Sequence, residues 1–461
     1  MTSKSNDTDL AADPLWIAFS RTENLDELIT DFRGFAHRLG FHDPQEAQRF
    51  ISATMEEQPL DSLRQLFAEN HRFTAPAKEL ISAFIIRGID YRGISADLTR
   101  QAHDYLMPLL RSDSPLHAYA MHHQCQRWIW EGNPVKSLKI LDNFETQGHE
   151  PANEVLKIWA DSLIGATRGF AQMEIGDFRG ATELLQKSLT ASRGLDFVLQ
   201  GNVEFLMASM FRESYQPAKA LEIWYEPQRM QKLHQRKEWP RIVASHLNAC
   251  RCAVDLSDIP GATTALENAE RYMPKVQELY PRLLGYRHLR RGEVCTLEED
   301  YARGETMLVS AIDYFESIDP PCREGWLESR IALGQYALLQ NNLPLAWAII
   351  KKLISEADAL GHLGLRSRAL LMQTWFFVSE TPPAEEAFEQ TLDQLQKIHN
   401  PAQLFHAFSH LLNFCVEHLD EKEATTIREQ MVSLRDRLTD ENYLQLLDRY
   451  VPERLRDKEL N

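Results

Sequence analysis

Apolar residues recur along most of this chain at the three-to-four spacing of an α-helix. Between Asn24 and Leu39 they fall at Leu25, Leu28, Ile29, Phe32, Phe35 and Ala36, which predicts a helix. Asp43-Pro44 reads as a cap followed by proline in the first turn of a second helix, running to about Met55. Pro59 opens a third, with Leu63, Leu66 and Phe67 on one face. Pro76 opens a fourth, and Ser95-Ala-Asp97 caps a fifth that ends near Leu110. Residues 13–112 are therefore predicted as an N-terminal helical segment, either a separate domain or degenerate repeats, behind a disordered polar tail over 1–12.

From residue 113 the pattern becomes a repeat, which is sought first because it decides the whole fold. A small residue opens every second helix: Ser137, Ala181, Ala218, Ala262, Gly304, Ala346, Ala384 and Ala424. A short polar or proline-containing turn precedes each one. A large apolar residue follows four places later in most cases, at Leu141, Leu185, Leu266, Leu308, Ile350 and Phe388; Ala218 has Leu221 one place early and Ala424 has Ile427. Two antiparallel helices joined by a short turn need a small residue at their closest approach and a bulky one a turn later to fill the seam. One such pair cannot bury its apolar face alone, so pairs must stack. The stretch Gly169–Leu189 shows the unit most plainly, as the end of a helix, a Gly176-Asp177-Phe178 turn and the start of the next helix. About eight pairs are predicted over 113–438, followed over 439–461 by a capping helix, with Tyr443, Leu444, Leu447 and Tyr450 on its apolar face, and a charged tail.

These residues resemble the tetratricopeptide repeat family. Gly169, Gly292 and Gly334 each precede the small residue of the second helix by twelve places, Leu333-Gly334 reproduces the family's Leu-Gly pair, and Ala262, Leu266, Ala269 and Pro274 follow its second-helix pattern. The family tryptophan is replaced by Gly165, His288 and Arg330, and the tyrosine by Gln172, Cys295 or Ala337. The period is near 40, longer than the usual 34. In that respect the repeats resemble those in the sensor regions of MalT-type bacterial regulators. The resemblance implies an all-α, right-handed superhelical solenoid of stacked antiparallel helix hairpins, with first helices lining the concave face. It also implies recognition of peptides or protein surfaces.

Composition narrows the function. A formal net charge of −17 repels nucleic acid and anionic membrane. No run of eighteen apolar residues occurs, and the N-terminus lacks an apolar signal core, so a cytoplasmic location is expected. The six cysteines are scattered and read as buried thiols. No phosphate-binding loop, zinc-protease, nucleophile-elbow, dinucleotide or EF-hand motif is present, and no cofactor is implied.

Two basic clusters interrupt the acidic background: Arg229, Lys232, Arg236, Lys237 and Arg241, and then Arg287, Arg290 and Arg291 with Arg251 one repeat earlier. Arginines at i, i+3 and i+4 project together and can grip carboxylates or phosphates bidentately. They equally suit exposed pairs with acidic neighbours such as Glu293, Glu298 and Glu299. His406 and His410, an i,i+4 pair, are the one spacing able to chelate a metal, but no third ligand accompanies them, so no metal site is assigned. The sequence thus predicts a non-catalytic adaptor, scaffold or regulatory subunit of a bacterial cytoplasm, binding a protein or peptide with acidic groups. The alternatives are a peptide- or ligand-sensing regulator whose superhelix changes shape and, less supported, an all-helical enzyme.

Overall fold

The computed structural model describes residues 103–110, 115–130, 133–146, 154–193, 197–277, 281–318, 322–360, 363–379, 400–419 and 421–456, with isolated positions such as Ser82, Gln101, Glu389 and Leu460. The four helices predicted before residue 95 lie outside these residues, as do Ala384 and Phe388. The predicted fifth helix ends in a 3-10 turn, Met107–Leu109, where Leu110 becomes extended.

All regular elements among the described residues are helices. We number them α1 (Pro115–Trp130), α2 (Pro134–Thr146), α3 (Glu154–Glu174), α4 (Phe178–Ser192), α5 (Phe197–Glu213), α6 (Pro217–Trp224), α7 (Pro227–Arg236), α8 (Trp239–Asp255) and α9 (Ile259–Tyr272). The numbering continues with α10 (Pro281–Leu297), α11 (Tyr301–Ser317), α12 (Arg323–Leu339), α13 (Leu343–Leu360), α14 (Leu363–Ser379), α15 (Pro401–His418), α16 (Glu421–Ser433) and α17 (Asp440–Tyr450). The fold is an all-α, tetratricopeptide-like solenoid of helix hairpins.

Five hairpin turns share one construction. Gly176, Tyr215, Ser257, Glu299 and Asn341 adopt positive φ, and each directly precedes the residue that opens the second helix. In each turn that residue's N–H reaches a carbonyl three places back, and the next N–H reaches one five places back: Glu299 to Thr296 at 3.2 Å, then Asp300 to Cys295 at 2.9 Å. Paired bonds of this kind around a left-handed residue close a helix and turn the chain sharply. Only Gly176 carries the glycine this conformation favours. Asp177, Asp258 and Asp300 then cap the second helices, accepting from the N–H groups of Gly180, Gly261 and Arg303.

The turns correct one position of the predicted register. Four residues after each cap comes the small residue: Asp177 leads to Ala181, Asp258 to Ala262, Asp300 to Gly304 and Asn342 to Ala346. By the same rule Gln216 leads to Ala220, which is buried, whereas Ala218 is exposed. Trp224, buried four places on, then fills the seam in place of Leu221. The helix pairing is also interrupted there. Glu226-Pro227 ends α6 after eight residues and starts α7, with the Glu226 carboxylate accepting from the N–H groups of Gln228 and Arg229. In α17 the buried face is Asn442, Tyr443, Leu446 and Leu447; Leu444, predicted on that face, is 44% exposed.

Two compact units are distinguished. The first comprises Met1–Trp128, Lys136–Arg168 and Gln186–Val203. In it His122 Nδ1 lies 2.6 Å from Thr167 Oγ1, Arg168 bridges Asp142 and Glu145 at 2.8 and 3.0 Å, and Lys136 Nζ sits 3.2 Å above the Trp128 ring. The second comprises Ile129–Val135, Gly169–Leu185 and Glu204–Asn461. Its core runs continuously through the hairpins. One cluster joins Ala220, Trp224, Leu247, Ala262, Leu266 and Met273, and the next joins Leu308, Phe315, Trp326, Ile350 and Met372. The glycines set how closely the helices approach: a Cβ on Gly292 would stand 2.7 Å from the Leu308 side chain.

The second unit also closes on itself. Asn400 caps α15 by accepting from the N–H groups of Ala402 and Gln403, and its amide donates to the Glu213 carbonyl at 3.2 Å. Arg179 donates to the Leu438 carbonyl at 3.0 Å, Arg437 to the Ile175 carbonyl at 3.5 Å, and Arg449 to the Asp255 carbonyl at 2.9 Å. Lys219 pairs with Glu441 at 2.6 Å. Thus α15, α17 and the segment before α17 lie against the α3–α4, α5–α6 and α8–α9 turns. Such contacts require the first helices between them to curl around a lumen.

Candidate functional site

The first helices α5, α8, α10, α12 and α14 carry charged residues that meet inside this curl. Glu328 on α12 is the centre. Its Oε1 accepts from Arg251 of α8 at 2.9 Å, and its Oε2 accepts from Arg290 of α10 at 3.3 Å. Arg368 of α14 approaches Oε1 to 3.6 Å. Arg290 also pairs with Glu293 at 2.5 Å, and Arg212 pairs with Glu213 at the end of α5. Glu213 accepts in turn from Gln403 of α15 at 3.3 Å. Residues on α8 and α14 can share one carboxylate on α12 only if the surface bearing all three is concave.

The electrostatics follow from confinement. Burial alone would push the Glu328 carboxyl up, but Arg251, Arg290 and Arg368 outweigh it and hold it well below the usual carboxylate range. Burial opposes the charge of Arg251, yet the Glu328 and Glu293 carboxylates keep that guanidinium above its ordinary value. Arg368 is pulled below its ordinary value, first by burial and then by Arg251. Glu174, at the end of α3, has no ion pair among the described residues; burial, then the Glu213 and Glu324 carboxylates, raise it to about 8.

The residues singled out from the sequence divide between this belt and other places. Arg251 and Arg290 belong to it, with 6% and 2% exposure. Arg291 projects from the neighbouring stripe of α10 and pairs with Glu270 of α9 at 2.7 Å, and Arg287 contacts the His288 ring at 3.1 Å. Arg229 faces inward: it pairs with Glu204 at 3.2 Å and donates to Ser245 Oγ at 3.1 Å and to the Trp224 carbonyl at 3.3 Å. Its guanidinium is therefore committed to packing α7 on its neighbours. Lys232 is exposed, Lys237 is exposed in a left-handed helix-ending conformation, and Arg241 lies in the first turn of α8, its carbonyl accepting from Ser245. Arg236 ends α7.

His406 and His410 do come together, with Nε2 atoms 3.1 Å apart. His406 Nδ1 lies 3.2 Å from Tyr215 Oη, and its ring stacks on Tyr450 at 3.9 Å. Burial first, then His410 and Arg449, lower His406 to about 3, so the pair is neutral and shares hydrogen bonds. Among the described residues no group of three potential metal ligands forms, and no helix is long and apolar enough to cross a membrane.

Sequence reasoning missed Glu328, Arg368, Arg212, Glu213 and Glu174. Their signal lies in the turns. Arg212 is three residues before Tyr215, Arg251 six before Ser257, Arg290 nine before Glu299 and Glu328 thirteen before Asn341. Each step is about one helical turn, so charge runs as a diagonal across successive helices.

The fold and this lumen define a helical-repeat solenoid with a charged interior. A Rap protein solved in complex with Competence and Sporulation Factor has the same fold, with a TM-score of 0.55 at 12% identity, covering 81% of this chain and 99% of that one. Aspartyl phosphate phosphatase F from Bacillus subtilis matches at 0.42 and 15% identity over 78% and 94%, and the apo form of RapI at 0.35 and 13% over 69% and 98%. No family model and no characterised protein matches the sequence.

Proposed function

We propose that the chain is a non-catalytic regulator or adaptor that holds a linear peptide, or a peptide segment of a partner protein, in the lumen of its second unit. The observation that carries this reading is the convergence of Arg251, Arg290 and Arg368 on Glu328 from three different first helices. A groove built from successive helices offers polar groups at regular intervals, which suits an extended chain with repeating backbone groups. The Rap protein of the same fold, solved with Competence and Sporulation Factor, supports a binding role. Recognition through a long-period tetratricopeptide-like array of the MalT-type kind, in a bacterial cytoplasm, belongs to the same proposal. The basic positions Arg287, Arg291, Lys232, Arg236, Lys237 and Arg241 lie outside the belt and are proposed as a secondary contact for a partner's acidic groups.

The self-closing contacts favour sensing over passive scaffolding. A peptide that bridges first helices would tighten or release the junctions at Asn400, Arg179 and Arg449. The test is affinity selection of a random short-peptide library followed by solution scattering. Retained peptides that change the radius of gyration support sensing, and retained peptides that leave it unchanged support a scaffold. A library that passes through unretained contradicts peptide binding.

A further inference from the structure

Glu328 has two carboxylate oxygens and three arginines around it. Arg251 and Arg290 take one oxygen each at hydrogen-bonding distance. Arg368 is left at 3.6 Å from an oxygen already occupied, makes no hydrogen bond, and keeps 24% of its side chain exposed. Its electrostatic neighbours are Glu328, Glu213, which is already paired with Arg212, and the like-charged Arg251 and Arg212. Asp255, which also borders this cluster, makes no ion pair with it. A planar guanidinium with unfilled donors and crowded by like charge is an acceptor site for a second carboxylate, which it can grip with two parallel hydrogen bonds.

We propose that Arg368 binds a carboxylate of the peptide ligand, supplied by its free C-terminus or by an acidic side chain. The inference rests on the peptide-binding reading above. The bound carboxylate lies beside Glu328 without competing for its arginines, since Arg251 and Arg290 continue to neutralise that residue. Arg368 makes the longest of the three contacts with Glu328, and its loss leaves that residue with both of its close hydrogen bonds.

The experiment uses the full chain and three random short-peptide libraries of equal length. One has free C-termini and no Asp or Glu, one has amidated C-termini with Asp and Glu, and one is amidated without either. Wild-type protein is expected to retain the first, the second or both, and to lose the third; which of the first two survives identifies the source of the carboxylate. Arg368→Ala should weaken the retained peptides roughly ten- to a hundredfold, the scale of a charge-assisted hydrogen-bonded pair. Arg368→Lys, which keeps the charge without the fork, should recover part of the loss. Thermal unfolding of both variants should match wild type. Equal retention of the third library, or unaltered affinity in both variants, would overturn the assignment while leaving peptide binding intact. Retention of none of the libraries would overturn both.

Discussion

At the scale of single residues, the lumen is held by one carboxylate whose removal should be costly. Glu328→Gln leaves Arg251 buried without its ion-pair partner and Arg290 with Glu293 alone. A loss of about 3–5 kcal/mol is expected on breaking a buried pair of this sort, read from the urea midpoint; an unchanged midpoint would show the belt to be unimportant for folding. Glu174 makes an opposite prediction in pH. Burial, then the Glu213 and Glu324 carboxylates, raise its carboxyl in the folded protein to about 8, well above the usual carboxylate range. The stability it contributes is full below the unfolded value and lost as pH rises through the folded one. Urea midpoints between about pH 5 and about pH 8 should therefore fall more steeply in wild type than in Glu174→Gln. Parallel profiles would contradict the raised value. Of these residues only Arg251 and Arg290 were legible in the sequence. Arginine clusters are conspicuous in an acidic chain, but a lone Glu or Arg is not, and contact between helices two hairpins apart leaves no local trace.

At the scale of the element, the hairpin was largely legible and its turn was not. Buried Leu185, Leu266, Leu308 and Ile350 sit where the helical period places them. The turns hide because Tyr215, Ser257, Glu299 and Asn341 take a conformation normally signalled by glycine. Without that signal Ala218 looks equivalent to Ala220, two places from the buried position. The account predicts that Glu299→Gly and Ser257→Gly each stabilise the protein by up to about 1 kcal/mol, by relieving left-handed backbone. Thermal unfolding checks this, and destabilisation by both would mean that their side chains matter more than their φ angles. The α6–α7 break was unforeseen for a different reason, since a run of good helix formers masked the effect of Glu226-Pro227.

At the scale of the molecule, the solenoid follows from repetition, but its closure does not. The hydrogen bonds of Asn400 to Glu213 and of Arg179 to Leu438 span 187 and 259 residues, and no periodic pattern encodes them. They hold the far end of the second unit against its early turns. Arg179→Ala combined with Arg449→Ala removes four hydrogen bonds, two to the Leu438 carbonyl and one each to those of Arg435 and Asp255, and an ion pair with Asp440. The double variant should show a larger radius of gyration in solution scattering with its helical content unchanged. A curve identical to wild type would mean that the remaining contacts, of Asn400 with Glu213, Arg437 with Ile175 and Lys219 with Glu441, suffice to hold the two ends together.

The most direct test of lumenal binding is hydrogen–deuterium exchange with and without the tightest-binding peptide from the library. The account predicts new protection on the first helices α8, α10, α12 and α14, around Arg251, Arg290, Glu328 and Arg368, with little change on α9, α11 and α13. Protection confined to those second helices, or to the exposed basic residues Lys232 and Lys237, would place the peptide outside the lumen and contradict it.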